Sequence, residues 1–359
     1  MEIYQRVIEF IRAAASGAAR EPFERLALDI FTHQFASVPS YREACERRGL
    51  TPADVDDWRA VPPVPALAFK HVELSAGPPQ RVFRTTGTTQ GAESRGRHAM
   101  PCLELYEVAA VSGMKQFLFP EVERIRILSL IHTAAERPES SLAQMVDWAI
   151  RDFGAAGSAT FVVGDHLDCE GLVAALRAAE QDGNAVCLMA TTAALMRFVD
   201  YCRERSLVFR LAHASRLMDT GGSKGTSRPL SRNGLMRAVW EMLAIPGYYV
   251  ANEYGMTEMS SQFYDNVIRE RNAGRFGRRS KAGPPWVRTR ILDPVTLTEV
   301  AAGETGVLCH TDLANAGSAM VVLTEDLGHS TAGGFEITGR IEGAEARGCS
   351  LALAEYLRS

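Results

Sequence analysis

The chain has 359 residues, a formal net charge of -4, 46% hydrophobic and 23% charged residues. That is room for a substantial core and about two domains, with no basic field or Lys/Arg stripe to suit nucleic acid. No run reaches the ~20 apolar residues of a membrane span, since 185–199 is broken by Thr191, Thr192 and Arg197. The opening Met-Glu-Ile-Tyr-Gln-Arg has no basic region ahead of an apolar run, so a secretory signal is not expected. The expected setting is cytoplasmic, and the expected partners are small molecules or another protein.

Residues 1–60 read as mostly helical. Ile3, Val7, Ile8, Phe10 and Ile11 form one apolar face, and Phe23, Leu26, Leu28, Ile30 and Phe31 another. Val61-Pro62-Pro63-Val64-Pro65 fits neither helix nor central strand and marks a boundary. Beyond it, strand-like runs at 125–131, 159–163, 185–190 and 217–219 alternate with helical stretches at 103–117, 141–152, 172–181 and 192–203. Strands spaced by helices predict an α/β fold with a largely parallel sheet, with ligands at loops beyond the strands' carboxyl ends. From Asp293 the pattern changes to strands near 306–309, 319–323 and 335–338 with Gly/Asp turns, a smaller β-rich subdomain. The expected divisions are a helical segment 1–60, an α/β core 61–292, a β-rich subdomain 293–340 and a tail 341–359.

Seven cysteines (Cys45, Cys102, Cys169, Cys187, Cys202, Cys309 and Cys349) are scattered and odd in number, with no CxxC pair to suggest zinc. Free thiols are the simplest account, and Cys187 and Cys309, in apolar runs, read as core.

Five loops carry unusual chemistry. Phe83-Arg84-Thr85-Thr86-Gly87-Thr88-Thr89-Gln90-Gly91 gathers four hydroxyls and two glycines near Arg84 and Arg95, donors that can converge on an anion. It is not a P-loop, because no Lys-Ser or Lys-Thr pair follows; a plain surface turn between strands is the alternative. Thr220-Gly221-Gly222-Ser223-Lys224-Gly225 lets a flat ligand or a phosphate approach the backbone, or is a tight turn with a solvated lysine. Asn252-Glu253-Tyr254-Gly255-Met256-Thr257-Glu258 offers a ring to stack on a base, a donor to phosphate and a carboxylate for Mg²⁺. The same residues could cap a helix beginning near Thr257. In the β-rich part, Thr324-Glu325-Asp326-Leu327-Gly328 and Thr338-Gly339-Arg340 put an Asp and an Arg at strand ends, as a grip on ribose hydroxyls or as turn formers.

In order and rough spacing these motifs resemble the adenylate-forming enzymes: acyl- and aryl-CoA ligases, firefly luciferase and peptide-synthetase adenylation domains. The resemblance implies that a carboxylate and ATP give an acyl-adenylate and pyrophosphate. Adenine would lie between the Gly221-Gly222 loop and Tyr254, phosphates on Thr85, Thr86, Thr88, Thr89 and Thr257, Mg²⁺ on Glu258, and ribose on Asp326 and Arg340. Gly87, Ser223, Asn252, Glu253 and Gly255 complete the implied nucleotide contacts. Larger members carry a mobile C-terminal domain of ~100 residues with a catalytic lysine; nineteen residues follow Arg340 here. Lys224, Arg84, Arg95 and Lys281 are candidate replacements, Lys224 being the choice.

Arg137-Pro138-Glu139-Ser140-Ser141-Leu142, Met218-Asp219-Thr220-Gly221-Gly222-Ser223-Lys224-Gly225 and Gly343-Ala344-Glu345-Ala346-Arg347-Gly348-Cys349-Ser350 resemble one branch, the LuxE-type acyl-protein synthetases. That likeness implies a fatty-acid substrate, an acyl group carried on Cys349, and a protein partner such as an acyl reductase. Cys349 suits the part, beside Arg347 and ahead of a run that can start a helix, which favours thiolate; a packing cysteine is the plain alternative. His132, after an apolar strand, can position substrate or be structural. Two other functions fit the same motifs: a ligase acylating coenzyme A or a carrier-protein thiol, and a non-catalytic nucleotide-binding scaffold.

Overall fold

The apolar spacing of the first sixty residues closes into three helices, α1 (Glu2–Ala15), α2 (Phe23–Ser37) and α3 (Pro39–Arg47). Val7, Ile8 and Ile11 of α1 and Leu26, Ile30 and Phe31 of α2 are buried, each worth about 1.5–3 kcal/mol of transfer free energy. Ile3 and Leu28, at the margins of the same faces, are half-buried. The computed structural model describes residues 2–85, 95–221, 230–341 and 347–357, with side chains in the last stretch from Ala352 onward. Contacts divide the chain into two units: Met1–Gly113, Gly255–Phe263 and Ser280–Ser359 form the first, Met114–Tyr254 and Tyr264–Arg279 the second. Segments 1–60, 293–340 and the tail fall in the first unit, while 61–292 contributes to both.

In the first unit the chain leaves α3 through β1 (Val64–Pro65) and a 3₁₀ turn, Ala66–Lys70. It then forms a hairpin from β2 (Arg81–Arg84) and β3 (Arg97–Met100), paired antiparallel with Phe83 opposite His98. Helix α4 (Leu103–Phe117) leads into the second unit.

There the alternation is as the sequence predicts: β4 (Arg126–Leu130), α5 (Ser141–Phe153), β5 (Ala159–Thr160), a small hairpin of β6 (Val162–Val163) and β7 (His166–Leu167), α6 (Cys169–Asp182), β8 (Val186–Thr191), α7 (Thr192–Glu204), β9 (Arg216–Thr220), α8 (Arg232–Leu243) and β10 (Val250–Tyr254). Strand order is β10-β9-β8-β4-β5, with every adjacent pair parallel. The helices begin where side chains cap them. Ser140 accepts from the Ala143 N–H at 3.2 Å, Asp168 from Gly171 at 2.8 Å and Thr191 from Ala194 at 3.1 Å. β8 buries Val186 through Ala190, as a central parallel strand covered on both faces must. Arg216 on β9 is fully buried and is satisfied by Glu121 and the Leu118 carbonyl, each at 2.6 Å.

β11 (Phe263–Asp265) and α9 (Val267–Asn272) follow, then β12 (Lys281–Ala282), β13 (Val287–Leu292), β14 (Thr305–Asp312), β15 (Val321–Thr331), β16 (Gly334–Arg340) and α10 (Arg347–Leu357). Within the first unit the order β13-β14-β15-β16-β12 is an antiparallel meander. The proline-rich stretch does more than link: Val64 and Pro65 pair in parallel with Val322 and Leu323 of β15. The chain is thus an α/β fold of mixed sheet flanked by helices, its second half β-rich. Cys187 and Cys309 are fully buried, as their apolar runs require.

Candidate active site

In the first unit, β2 and β3 hold the base of the threonine loop. Thr85 N–H donates to the Gly96 carbonyl at 2.9 Å, and the Gly96 N–H returns a bond to Thr85 Oγ1 at 2.8 Å. Arg95 Nε donates to the Thr85 carbonyl at 2.5 Å. A Cβ on Gly96 would stand 3.1 Å from the Thr85 methyl and 3.5 Å from Glu258 Oε1. The base of the loop therefore lies against the Glu258 carboxyl. Thr86, Gly87, Thr88 and Thr89 are outside the described residues.

The loop Thr257–Glu258 is pinned from two sides. His98 on β3 is buried, and its Nδ1 donates to the Thr257 carbonyl at 2.7 Å; burial lowers its pKa to about 4, so the strut is a neutral imidazole. Asn315 Nδ2 donates to the Glu258 carbonyl at 2.8 Å, and its Oδ1 accepts from Ser260 Oγ at 2.7 Å. Asp312, fully buried, accepts from the N–H groups of Ser260, Ser261 and Ala314 and from the Ser261 hydroxyl at 2.7–3.1 Å. These side-chain bonds hold 257–261 as a turn. No helix starts at Thr257, so the capping role open to Thr257 and Glu258 is not what they do.

Glu258 is 8% exposed. Burial pushes its pKa up to about 7, against a bond from its own backbone N–H and the charges of Lys70 and Arg340. Asp326 and Arg340 are directly opposed in β15 and β16, with Arg340 Nε 3.1 Å from Asp326 Oδ1 and Nη2 3.3 Å from Glu325 Oε2. Asp326 is not at a strand end: β15 continues to Thr331 through a bulge at Leu327 and Gly328, where a Cβ on Gly328 would meet the Glu336 carbonyl at 2.4 Å. The structure thus brings Thr85, Glu258, Asp326 and Arg340 together in one unit.

In the second unit, Asn252 and Glu253 on β10 lie opposite Asp219 and Thr220 on β9. Asn252 Nδ2 donates to the carbonyl and carboxyl of Asp219, both at 3.1 Å, and Thr220 Oγ1 donates to Glu253. Asp219 also takes bonds from Thr192 Oγ1 at 2.9 Å and Arg232 Nη1 at 2.5 Å. Asp265 binds the Asn252 N–H at 3.0 Å and Arg279 at 2.6 Å. Gly221 has φ +76°, the left-handed turn its position requires, and its carbonyl is held by Thr192 Oγ1 at 2.9 Å. Tyr254 ends β10, half-buried, and Gly255 opens the next turn. Gly222, Ser223 and Lys224 are outside the described residues. A separate cleft of about 330 Å³, lined by Glu121, Tyr249, Ile268, Arg271, Asn272 and Phe276, contains none of these residues.

Cys349 lies in the first turn of α10, which begins at Arg347 rather than at Ser350. The helix is anchored farther along, where Arg48, the residue just after α3, is ion-paired with Glu355 and Tyr356 is buried. His132 Nε2 donates to the Gly164 carbonyl at 2.6 Å. Reasoning from sequence missed His98, Asp312 and Asn315, which act through backbone carbonyls and N–H groups of distant segments, and Lys70, a lone lysine after a proline run.

A single Glu258 carboxylate fits Mg²⁺ shared with substrate phosphates, the usual way that ion is held. Among the described residues no cluster of three or more His, Cys, Asp or Glu offers an all-protein cage.

Comparison with known proteins follows the same lines. A solved 2-hydroxyisobutyryl-CoA ligase, in an open conformation with 2-HIB-AMP and CoA, superposes with a TM-score of 0.64 at 17% identity over 89% of this chain and 70% of that one. The long-chain-fatty-acid–luciferin-component ligase of Vibrio harveyi is 20% identical over 351 residues, 92% of this chain and 87% of that protein. Its Aliivibrio fischeri counterpart is 22% identical over 209 residues, 54% of this chain; the match spans about half, 52%, of that protein's length. The family model for "Acyl-protein synthetase, LuxE" matches residues 5–358, and the chain therefore belongs to the LuxE acyl-protein synthetases, a family of ligases.

Proposed function

We propose that the chain activates a carboxylic acid of the fatty-acid class with ATP and passes the acyl group to a thiol, its own Cys349, for delivery to a partner such as an acyl reductase. The observation that carries this reading is the meeting, in one unit, of the threonine-loop base, the buried Glu258 carboxyl and the Asp326–Arg340 pair. Family membership and the fold support it.

In the first half-reaction a carboxylate oxygen attacks the α-phosphorus of ATP. The bond to the bridging oxygen breaks, and pyrophosphate leaves. Glu258 would hold Mg²⁺, which would supply charge neutralisation for the departing pyrophosphate. The chain's own part is positioning. Threonine hydroxyls and loop N–H groups, with Thr257, receive the phosphates, and Asp326 and Arg340 receive the ribose. Lys224 is the sequence's candidate cation. In the second half-reaction the Cys349 thiolate attacks the acyl carbonyl carbon, the bond to AMP oxygen breaks and AMP departs, leaving a thioester. The first turn of α10, where N–H groups point outward, favours the thiolate.

The test is carboxylate-dependent pyrophosphate release from ATP across acids of graded chain length, followed by intact-mass measurement. Release with long-chain acids, plus an acyl mass on the protein that disappears in Cys349→Ser, is the expected result. Release without any acyl mass would move the acceptor to an external thiol. No release with any acid would leave a nucleotide-binding scaffold.

A further inference from the structure

Glu258 bonds no cation directly: among the described residues its carboxyl bonds its own backbone N–H, and Lys70, Arg340 and Asp326 act on it through space. Arg340 is already committed to Asp326 and Glu325, and Arg95 to the Thr85 carbonyl. Without a further cation, Glu258, Asp326 and Glu325 outnumber the guanidiniums of Arg340 and Arg95, and the excess acid disfavours a polyphosphate. Lys70 is exposed and, among the described residues, has no ion pair or hydrogen bond of its own. It closes the Ala66–Lys70 turn, which packs against β3, β15 and α10. The ring of Phe69, its neighbour, meets His98 edge-on at 5.5 Å, and His98 holds the Thr257 carbonyl at 2.7 Å. One strut thus fixes both the backbone that carries Lys70 and the loop that carries Glu258.

We propose that Lys70 is a catalytic cation of the adenylation step, its ammonium meeting the phosphate oxygens on which charge develops as pyrophosphate leaves. This rests on the activation reading given above. Lysine is well matched to that role, because a compact charge on a flexible stem can follow the phosphate through the reaction. The helix bearing Cys349 packs on the same turn.

The experiment is pyrophosphate–ATP exchange, driven by the best acid from the screen, for wild type, Lys70→Met, Lys70→Arg and Lys224→Met, with thermal melting of each. Lys70→Met is expected to lower kcat by about 10²-fold or more, with Tm and the KM for the acid within error of wild type. Lys70→Arg should recover about tenfold of that loss, because it keeps the charge. Exchange by Lys70→Met within about threefold of wild type overturns the proposal, and so does a loss matched by a fall in Tm. If only Lys224→Met loses exchange, the cation is Lys224. Failure of wild type with every acid removes the activation reading and the role of Lys70 with it, whereas exchange kept in Lys70→Met removes Lys70 alone.

Discussion

Asp219 and Asp265 in the second unit and Glu258 in the first are buried carboxylates handled in opposite ways. In the second, Asp219 and Asp265 are enclosed by Thr192, Asn252, Arg232 and Arg279, so that nearly every lone pair has a donor. In the first, the Glu258 backbone is fixed by Asn315 and its neighbour's carbonyl by His98, while the carboxyl itself is left without a paired cation. A closed network of the first kind stabilises the fold and has little left to offer a ligand. A rigid backbone presenting an under-compensated charge costs stability and waits for a partner, which is the character of a working site.

That contrast can be broken most forcefully in the second unit. Asp219→Ala leaves Arg232, Thr192 and Asn252 without their acceptor and should cost about 3–5 kcal/mol; denaturant titration would contradict the structural role if the loss were under about 1 kcal/mol. Glu258→Gln should do the reverse. The folded pKa of about 7 lies above the usual carboxylate value of 4.5, so the folded state holds an extra proton between those limits. The contribution of this carboxyl to stability is then fully present below about pH 4.5 and is lost as pH rises through 7. At pH 8 the glutamine variant should be more stable by up to about 3 kcal/mol, with the gain fading toward pH 4.5, although pyrophosphate exchange collapses. Equal melting of the two proteins at pH 8 would show that the carboxyl carries no burial penalty. The smallest effect concerns the tail. Arg48→Ala removes a partly exposed pair, with side chains 21% and 30% exposed, and should cost about 1 kcal/mol. Its mark is faster amide exchange along α10, and unchanged exchange there would mean that Tyr356 anchors the helix alone.

Much of the α/β layer was legible because period and punctuation agree. The run at 103–117 is α4 residue for residue, and Thr191 announces α7 just where β8 ends. The first helices were legible for the same reason. Local rules failed where a distant segment decides. Thr257-Glu258 has the residues of a helix start, but Asp312 and Asn315, more than fifty positions away, take the N–H and carbonyl groups a helix would need. Thr324 to Gly328 looks like a strand ending at a turn, yet Gly328 lets β15 bulge and continue beside β16. Of the site, the motif residues could be read from their types, whereas Lys70 could not: nothing in Ala-Phe-Lys-His says which carboxyl will face it.

The burial of Cys45, Cys187 and Cys202 has a practical consequence. Desolvation pushes Cys45 up to about 11 and Cys187 and Cys202 up to about 12, so at neutral pH only ~10⁻⁴ to 10⁻⁵ of each is ionised. Such sulfurs are silent toward electrophiles. A thioester or alkyl adduct recovered from the native protein can be assigned by peptide mapping without first stripping out these three, with half-buried Cys102 and Cys169 the thiols to compare with Cys349.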